Sequence, residues 1–500
     1  MISTDSAPPS MSDPDTLIAA ARDARRAGKS ADLVPALTTA TERYPGDARS
    51  WQSLGLLHRD LGKNRPAIEA FERAARLSPA SARISHALAR TRMEAGLPAL
   101  EAFERARTLA PNDPELLISR AAALAQSGQA ATAIAEFDAI LAGNPHWLDG
   151  HLAYAEWQWS SGDPSAAART LARALAAEPA NAQLWYALLN FQIKVEDFAA
   201  ADETLVQATA ALGEAPLRIF DAVIADELGD LERAEARFAG MEAGTSIPLT
   251  VRMIRHELRM QRPEGAAALG EPLIAAEGAN ELLPYLSLAW RLLSDDRARW
   301  LERPEMLVTT HDLGDRIDLD ALAACLRRLH VSKGEMAGQS VRGGTQTDGP
   351  LFARIDPEIA ALRKLIVETV AAKIAALPQE PGHPILGQPR GAVRFAGSWS
   401  VRLQRQRGFH TSHIHPQGWF SSAFYVTVPA EEERGPRPAG WFQYGQPPAN
   451  LGTELDPYGR VEPKPGRLVL FPSIMWHGTY PFDDGERMSV AFDVARPPAP

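Results

Sequence analysis

GFHTSHIHPQGWFSSAFYVTVP, residues 408–429, and GRLVLFPSIMWHGTYPFDDGERMSVAF, residues 466–492, decide how the C-terminal third of this chain is read. The chain has 12 histidines, and His410, His413, His415 and His477 fall in these two runs. Both runs are β-rich, and a Pro/Gly-rich loop separates them. On an extended strand residues i and i+2 point to one face, so His413 and His415 present two imidazoles together. His477, in a second strand-like run after the Pro472-Ser473 break, can complete a three-ligand metal site that leaves the opposite positions open. His410, three residues before His413, points the other way and suits a supporting or substrate-facing place. Asp483-Asp484-Gly485 is a hairpin-turn signal. Beyond it Arg487, Ser489 and Ala491 alternate with Met488, Val490 and Phe492. Arg487 and Ser489 therefore share a face, and a guanidinium fork beside a hydroxyl suits one end of a small dicarboxylate.

Together with GGTQTDG (343–349), WSVRL (399–403) and ERMSVAFDV (486–494), these runs carry a resemblance. The C-terminal third resembles the double-stranded β-helix oxygenases that use Fe(II) and 2-oxoglutarate. More narrowly, the chain resembles bacterial proteins that join tetratricopeptide repeats to such a domain. The resemblance implies a jelly-roll core, a metal held by a His-x-acid pair and a distal His, and an arginine shortly after that His, as His477 and Arg487 are spaced. It implies Fe(II) on His413, His415 and His477, with 2-oxoglutarate anchored by Arg487 and Ser489 and with dioxygen as oxidant. No catalytic side chain is expected beyond the metal centre. The product would be a hydroxylated protein or peptide side chain, and His410, Arg342, Gln346 and Trp419 would lie near substrate or behind the ligands.

This sequence departs from the family pattern at His415, which stands where the family has a carboxylate. Either the centre is a three-His variant, or Asp493 or Asp348 approaches the metal from elsewhere. Other readings remain open. One is a three-His metal dioxygenase that does not use 2-oxoglutarate, with Arg487 holding a substrate carboxylate. Another is a tetratricopeptide binding protein whose β-domain is inactive. A jelly-roll epimerase or isomerase gives no reason for the Arg487 spacing.

The rest of the chain sets the architecture. Residues 1–12 are Ser/Pro/Asp-rich and expected to be disordered. Then Pro45, Pro79, Pro111, Pro145 and Pro179 follow at steps of 34, 32, 34 and 34 residues, the period of a tetratricopeptide unit. The second unit is the clearest, with Trp51, Leu54, Gly55, Ala67, Phe71 and Ala74 in the large-against-small pattern that locks two helices together. Gly28, Gly62, Gly96, Gly128 and Gly162 mark the turns within pairs. The expected organisation is α+β and multidomain: an all-α solenoid over 13–300, degenerate after about 213, then a double-stranded β-helix (jelly-roll) domain with flanking helices over 301–500. Most aromatic and alanine positions of the solenoid read as packing, because each repeat buries its apolar face only by stacking. The groove such repeats leave suits an extended protein or peptide partner.

Leu319, Leu322, Leu326 and Leu329 predict a helix over 319–331, and Ile359, Leu362, Ile366, Val370 and Ile374 a helix over 357–377. Strands are expected at 391–396, 398–405, 419–428, 440–444, 466–471, 474–481 and 486–494, with 430–463 an insertion suited to a substrate lid. A net charge of −10 without a basic block argues against nucleic acid. A single cysteine, Cys325, excludes an internal disulfide framework. The absence of a long apolar run or a leader-like N-terminus makes the cytoplasm the expected location, with no membrane partner.

Overall fold

The structure, a computed structural model, describes residues 13–332, 334–404 and 408–497. The expected disorder of 1–12 lies outside the described residues. The chain divides into two compact units. Among described residues the first holds 13–133, 348–369 and 497, and the second holds 134–347 and 370–496.

In the first unit, capped helices are laid down in pairs. Asp47, Ser81 and Asp113 each accept a hydrogen bond from the first turn of the helix they precede, Ala48–Asp60, Ala82–Glu94 and Pro114–Gln126. That satisfies an amide the helix itself cannot. Gly62 turns the chain from Ala48–Asp60 into Asn64–Leu77 with φ of +64°, where a β-carbon is disfavoured. The large-against-small pairing is literal: a β-carbon on Gly55 would lie 2.8 Å from the Phe71 ring. Phe103 fills the next layer with Ala89, Ala99 and Ala106. The segment 348–369 is stitched to the turns of these repeats. Asn64 Nδ2 donates to the Ala353 carbonyl at 2.8 Å, and Arg363 donates to the carbonyls of Leu61 and Gly62 at 3.3 Å. The helix that begins there is Pro357–Ala376.

In the second unit helical pairs continue past residue 213, where the sequence period weakens: Arg218–Leu228 with Leu231–Phe238, then Ile247–Arg259 with Pro263–Gly270. Leu171, Leu184, Leu188 and Leu205 make one shared core. Among described residues, no helix is long and apolar enough to cross a membrane.

Eleven strands follow among the described residues: β1 (Thr309–Asp312), β2 (Val341–Arg342), β3 (Gly344–Gln346), β4 (Phe395–Leu403), β5 (Phe409–His410), β6 (Gly418–Thr427), β7 (Phe442–Tyr444), β8 (Gly459–Val461), β9 (Arg467–Pro472), β10 (His477–Thr479) and β11 (Arg487–Ala495). They form a six-stranded sheet in the order β1-β9-β6-β11-β4-β3, a three-stranded sheet β10-β7-β8 and the pair β2-β5. This corrects the jelly-roll expectation, because the sheets are separate and do not close into a barrel. The run 474–481 shows why. Expected as one strand, it yields three strand residues after the turn that leaves Pro472, which has no N–H to continue a ladder. β10 then pairs with β7 from the insertion, not with the large sheet. The six-stranded sheet meets β7 through side chains alone, with Tyr425, Val469 and Phe471 packed on Phe442. The first two expected strands are one continuous β4, and β1 lies outside the expected strands.

β11 pairs with β4 on one side and β6 on the other, so its alternation divides the large sheet into two faces. Met488, Val490, Phe492 and Val494 are buried on one face. Arg487, Ser489 and Ala491 line a cavity on the other, where Ser489 stands opposite Val401 and Tyr425.

Candidate metal centre

His413 and His477 are brought together by a backbone bridge. The His413 N–H donates to the His477 carbonyl at 2.9 Å, and the reverse bond is 3.0 Å. Two residues on, the His415 N–H donates to the Ser473 carbonyl at 2.9 Å. Gly478 permits this approach: a β-carbon there would stand 2.9 Å from the His410 carbonyl oxygen. One ligand atom each of His413, His415 and His477 then lies within 4.8 Å of the others. Among the described residues this is the group of His, Cys, Asp or Glu side chains suited to a metal ion.

The imidazoles are oriented for ligation. Nδ1 of His413 faces the Thr411 carbonyl at 2.8 Å, and Nδ1 of His477 faces the Met475 carbonyl at 2.9 Å. A carbonyl only accepts, so these Nδ1 atoms carry the proton and Nε2 is the unprotonated nitrogen, which in His413 also faces Ser340 Oγ at 3.2 Å. Nδ1 of His415 meets Asp493 Oδ2 at 2.8 Å, and Asp493 Oδ1 accepts from Ser421 Oγ at 2.6 Å. Trp399 stacks parallel on the His415 ring, with centroids 5.6 Å apart. Burial, followed by repulsion from His415, lowers the pKa of His413 to about 3. Burial also pushes His477 and His410 well below the usual imidazole value. Neutral imidazoles are the form a metal needs. The donor set fits a first-row transition metal, for which imidazole is a common ligand.

The cavity beside these rings is also lined by Arg487, Ser489 and Tyr425. Arg487 is 2 % exposed and donates to the Gly440 carbonyl at 3.0 Å and to Thr479 Oγ1 at 3.1 Å. No carboxylate pairs with it among the described residues, and burial lowers its pKa. Among the described residues the buried Tyr425 hydroxyl has no hydrogen-bond partner. A buried guanidinium beside a hydroxyl suits an anionic group.

Of the supporting residues expected from the sequence, His410 and Gln346 line this cavity. His410 does not point away: its ring lies 6.0 Å from that of His413, and Ser340 Oγ bridges the two at 3.2 Å to each. Arg342 is instead paired with Glu196 at 2.8 Å, and Trp419 is a core residue donating to the Ile385 carbonyl at 3.0 Å. Sequence reading missed Ser340, Thr479 and Tyr425. Tyr425 was within reach, since Ser421, Ala423 and Tyr425 alternate along β6.

Comparison with known proteins agrees with this two-part construction. Residues 397–493 match the family described as "Putative 2OG-Fe(II) oxygenase", and residues 18–82 match the tetratricopeptide-repeat family. The chain therefore joins an N-terminal tetratricopeptide-repeat region to a C-terminal domain of the 2OG-Fe(II) oxygenase family. Similar solved structures include MamA, 17 % identical over 34 % of this chain and 94 % of that one, with a TM-score of 0.30. YrrB, titled a TPR protein with an unusual peptide-binding site, is 20 % identical over 35 % of this chain and 91 % of that one, with a TM-score of 0.28. A tetratricopeptide repeat protein from Parabacteroides merdae is 17 % identical over 54 % of this chain and 98 % of that one, with a TM-score of 0.31. No curated protein matches the chain.

The site corrects the activity that the resemblance implied. An Fe(II)- and 2-oxoglutarate-dependent hydroxylase holds its metal with two histidines and a carboxylate, and the group found here is three histidines without one. Neither carboxylate offered as a substitute is available as a ligand. Asp493 is engaged by His415 Nδ1 and Ser421, and Asp348 accepts from Gln126 at 3.3 Å within the other unit. The Fe(II)/2-oxoglutarate cofactor pair and the dioxygenase-hydroxylase assignment built on it therefore fall.

Proposed function

We propose that the C-terminal domain is a three-His metal-dependent dioxygenase that does not use 2-oxoglutarate. The observation that carries this reading is the all-imidazole group facing a cavity also lined by the buried Arg487, which no carboxylate pairs among the described residues. His413, His415 and His477 would hold the metal through Nε2, with Asp493 fixing the His415 ring and adding negative charge behind it. When bound, the metal supplies activation of dioxygen next to the substrate. Arg487 and Ser489 hold a substrate carboxylate, Tyr425 adds a donor to it, and Trp399, Phe442 and Phe471 keep the cavity dry. Arg487 donates to Thr479, two residues beyond His477, so the carboxylate sits within one small molecule's length of the metal.

Without 2-oxoglutarate, the substrate must supply all four electrons that dioxygen takes. A thiol does so: R–SH + O₂ gives R–SO₂H, with both oxygens on sulfur and sulfur oxidised by four electrons. A thiol bearing a carboxylate is therefore the substrate class this site fits. The tetratricopeptide region offers a groove suited to a peptide or protein partner.

The test is oxygen uptake by the metal-loaded chain with a series of carboxylate-bearing thiols, with and without 2-oxoglutarate. The expected result is sulfinate formation indifferent to 2-oxoglutarate and lost in Arg487→Ala. Uptake that requires 2-oxoglutarate and yields succinate would sink the proposal.

A further inference from the structure

A second, larger cavity adjoins the metal centre and belongs to two different parts of the second unit. Its empty volume is about 1440 Å³. The helical repeats contribute Glu196, Arg255 and Tyr285, and the β-domain contributes Gln443, the 446–451 loop and Trp476. His410, His413 and Thr479 line both this chamber and the inner cavity, so the two meet at His413, one of the three ligands.

The insertion that walls the chamber is clamped. Arg259 Nε donates to the Asn450 carbonyl at 2.8 Å, and Gln261 to the Gly452 carbonyl at 2.7 Å. Arg291 donates to the carbonyls of Gly445 and Asp456. Three repeat side chains thus hold the loop by its backbone at the chamber wall.

Pro447, Pro448, Pro481, Tyr480 and Trp476 supply flat apolar walls. Gln443 is 6 % exposed, and among the described residues its buried Oε1 has no donor. Arg255, held to Glu227 at 2.6 Å, has a buried Nε without an acceptor among the described residues. These two side chains bring one acceptor and one donor to the chamber wall, the pair that the N–H and C=O of a peptide unit would engage once the side chains turn toward it. The inner cavity adds a demand for one carboxylate, at Arg487.

We propose that the substrate is the C-terminal end of a polypeptide: its terminal residue enters the metal cavity with the α-carboxylate on Arg487, and the preceding residues lie in the outer chamber against Gln443 and Arg255. This rests on the three-His dioxygenase reading for what happens to the terminal residue, but the binding claim is tested without turnover. The probes are N-acetylated pentapeptides of random sequence ending in Ala, as free acids and as C-terminal amides, with N-acetylalanine as the single-residue control. Binding to the metal-free full chain is read by calorimetry, and Co(II) uptake is measured separately.

The expected result is at least a tenfold preference for acids over amides and at least a tenfold gain over N-acetylalanine. Gln443→Ala should remove the second gain and leave the affinity for N-acetylalanine unchanged. Equal binding of acid and amide, or no gain from the added residues, would overturn the inference. Both comparisons are made on the wild-type chain and stand whether or not the variant folds. Co(II) binding without peptide binding defeats this inference and leaves the three-His reading intact. Peptide binding without Co(II) uptake does the reverse.

Discussion

The repeats and the metal centre are built from partners at very different distances along the chain. In the repeats, Ser81 caps the helix that starts at the next residue, and Gly55 meets Phe71 one helix later. At the metal centre, His413 meets His477, and His415 meets Asp493, 78 residues away. The first kind of contact recurs with a period, and the second exists only once several strands are in register. The repeats therefore tolerate local damage locally, whereas the centre depends on the sheets being right first.

Phe71→Ala should show the largest effect. It removes a fully buried ring and leaves a cavity above Gly55, costing about 3–5 kcal/mol, read as a lower midpoint in urea. Co(II) affinity should be unchanged, and a parallel loss of metal would break the contrast between the two regions. Asp493→Asn should sharpen it from the other side: about 10–100-fold weaker metal binding, seen by competition with a chelator, with little change in unfolding midpoint.

Next comes a pH effect. His330 lies in the second unit between Thr345 Oγ1 at 2.8 Å and Ser400 Oγ at 3.1 Å, and burial lowers its pKa to about 4. The unfolded chain takes up this proton near pH 6.5 and the folded chain does not. The stability His330 contributes is complete above pH 6.5 and is lost as pH falls from there toward 4. Urea midpoints of the metal-free chain should drop across that window, less steeply in His330→Gln. The smallest effect is at a cap: Ser81→Ala should cost about 1 kcal/mol, measured by thermal unfolding.

The same contrast explains what could be read from the residues alone. The 34-residue step of the prolines, the turn glycines and the Gly55–Phe71 pairing are local and repeated, and the structure has each of them where the period puts it. The His413, His415 and His477 grouping was legible because i, i+2 spacing on a strand is itself local. The orientation of the rings was not, because it comes from Asp493 and from the carbonyls of Thr411 and Met475. Sheet closure was misjudged for a related reason. The β-prone run 474–481 does not reveal that its strand will be only His477–Thr479, paired with β7 and not with the large sheet, since Pro472 and the turn after it decide that. The pairing of Arg342 with Glu196 needed the repeats and the β-domain to be placed against each other within their unit.

The central claim is that three imidazoles and no protein carboxylate hold the metal. X-ray absorption of the Co(II)-loaded full chain, compared with His477→Ala, tests it most directly. The account predicts imidazole scattering from three ligands in the wild type, one fewer in the variant, and no change at the metal edge on adding 2-oxoglutarate. A protein carboxylate in the first coordination sphere, or chelation of 2-oxoglutarate by the metal, would contradict it.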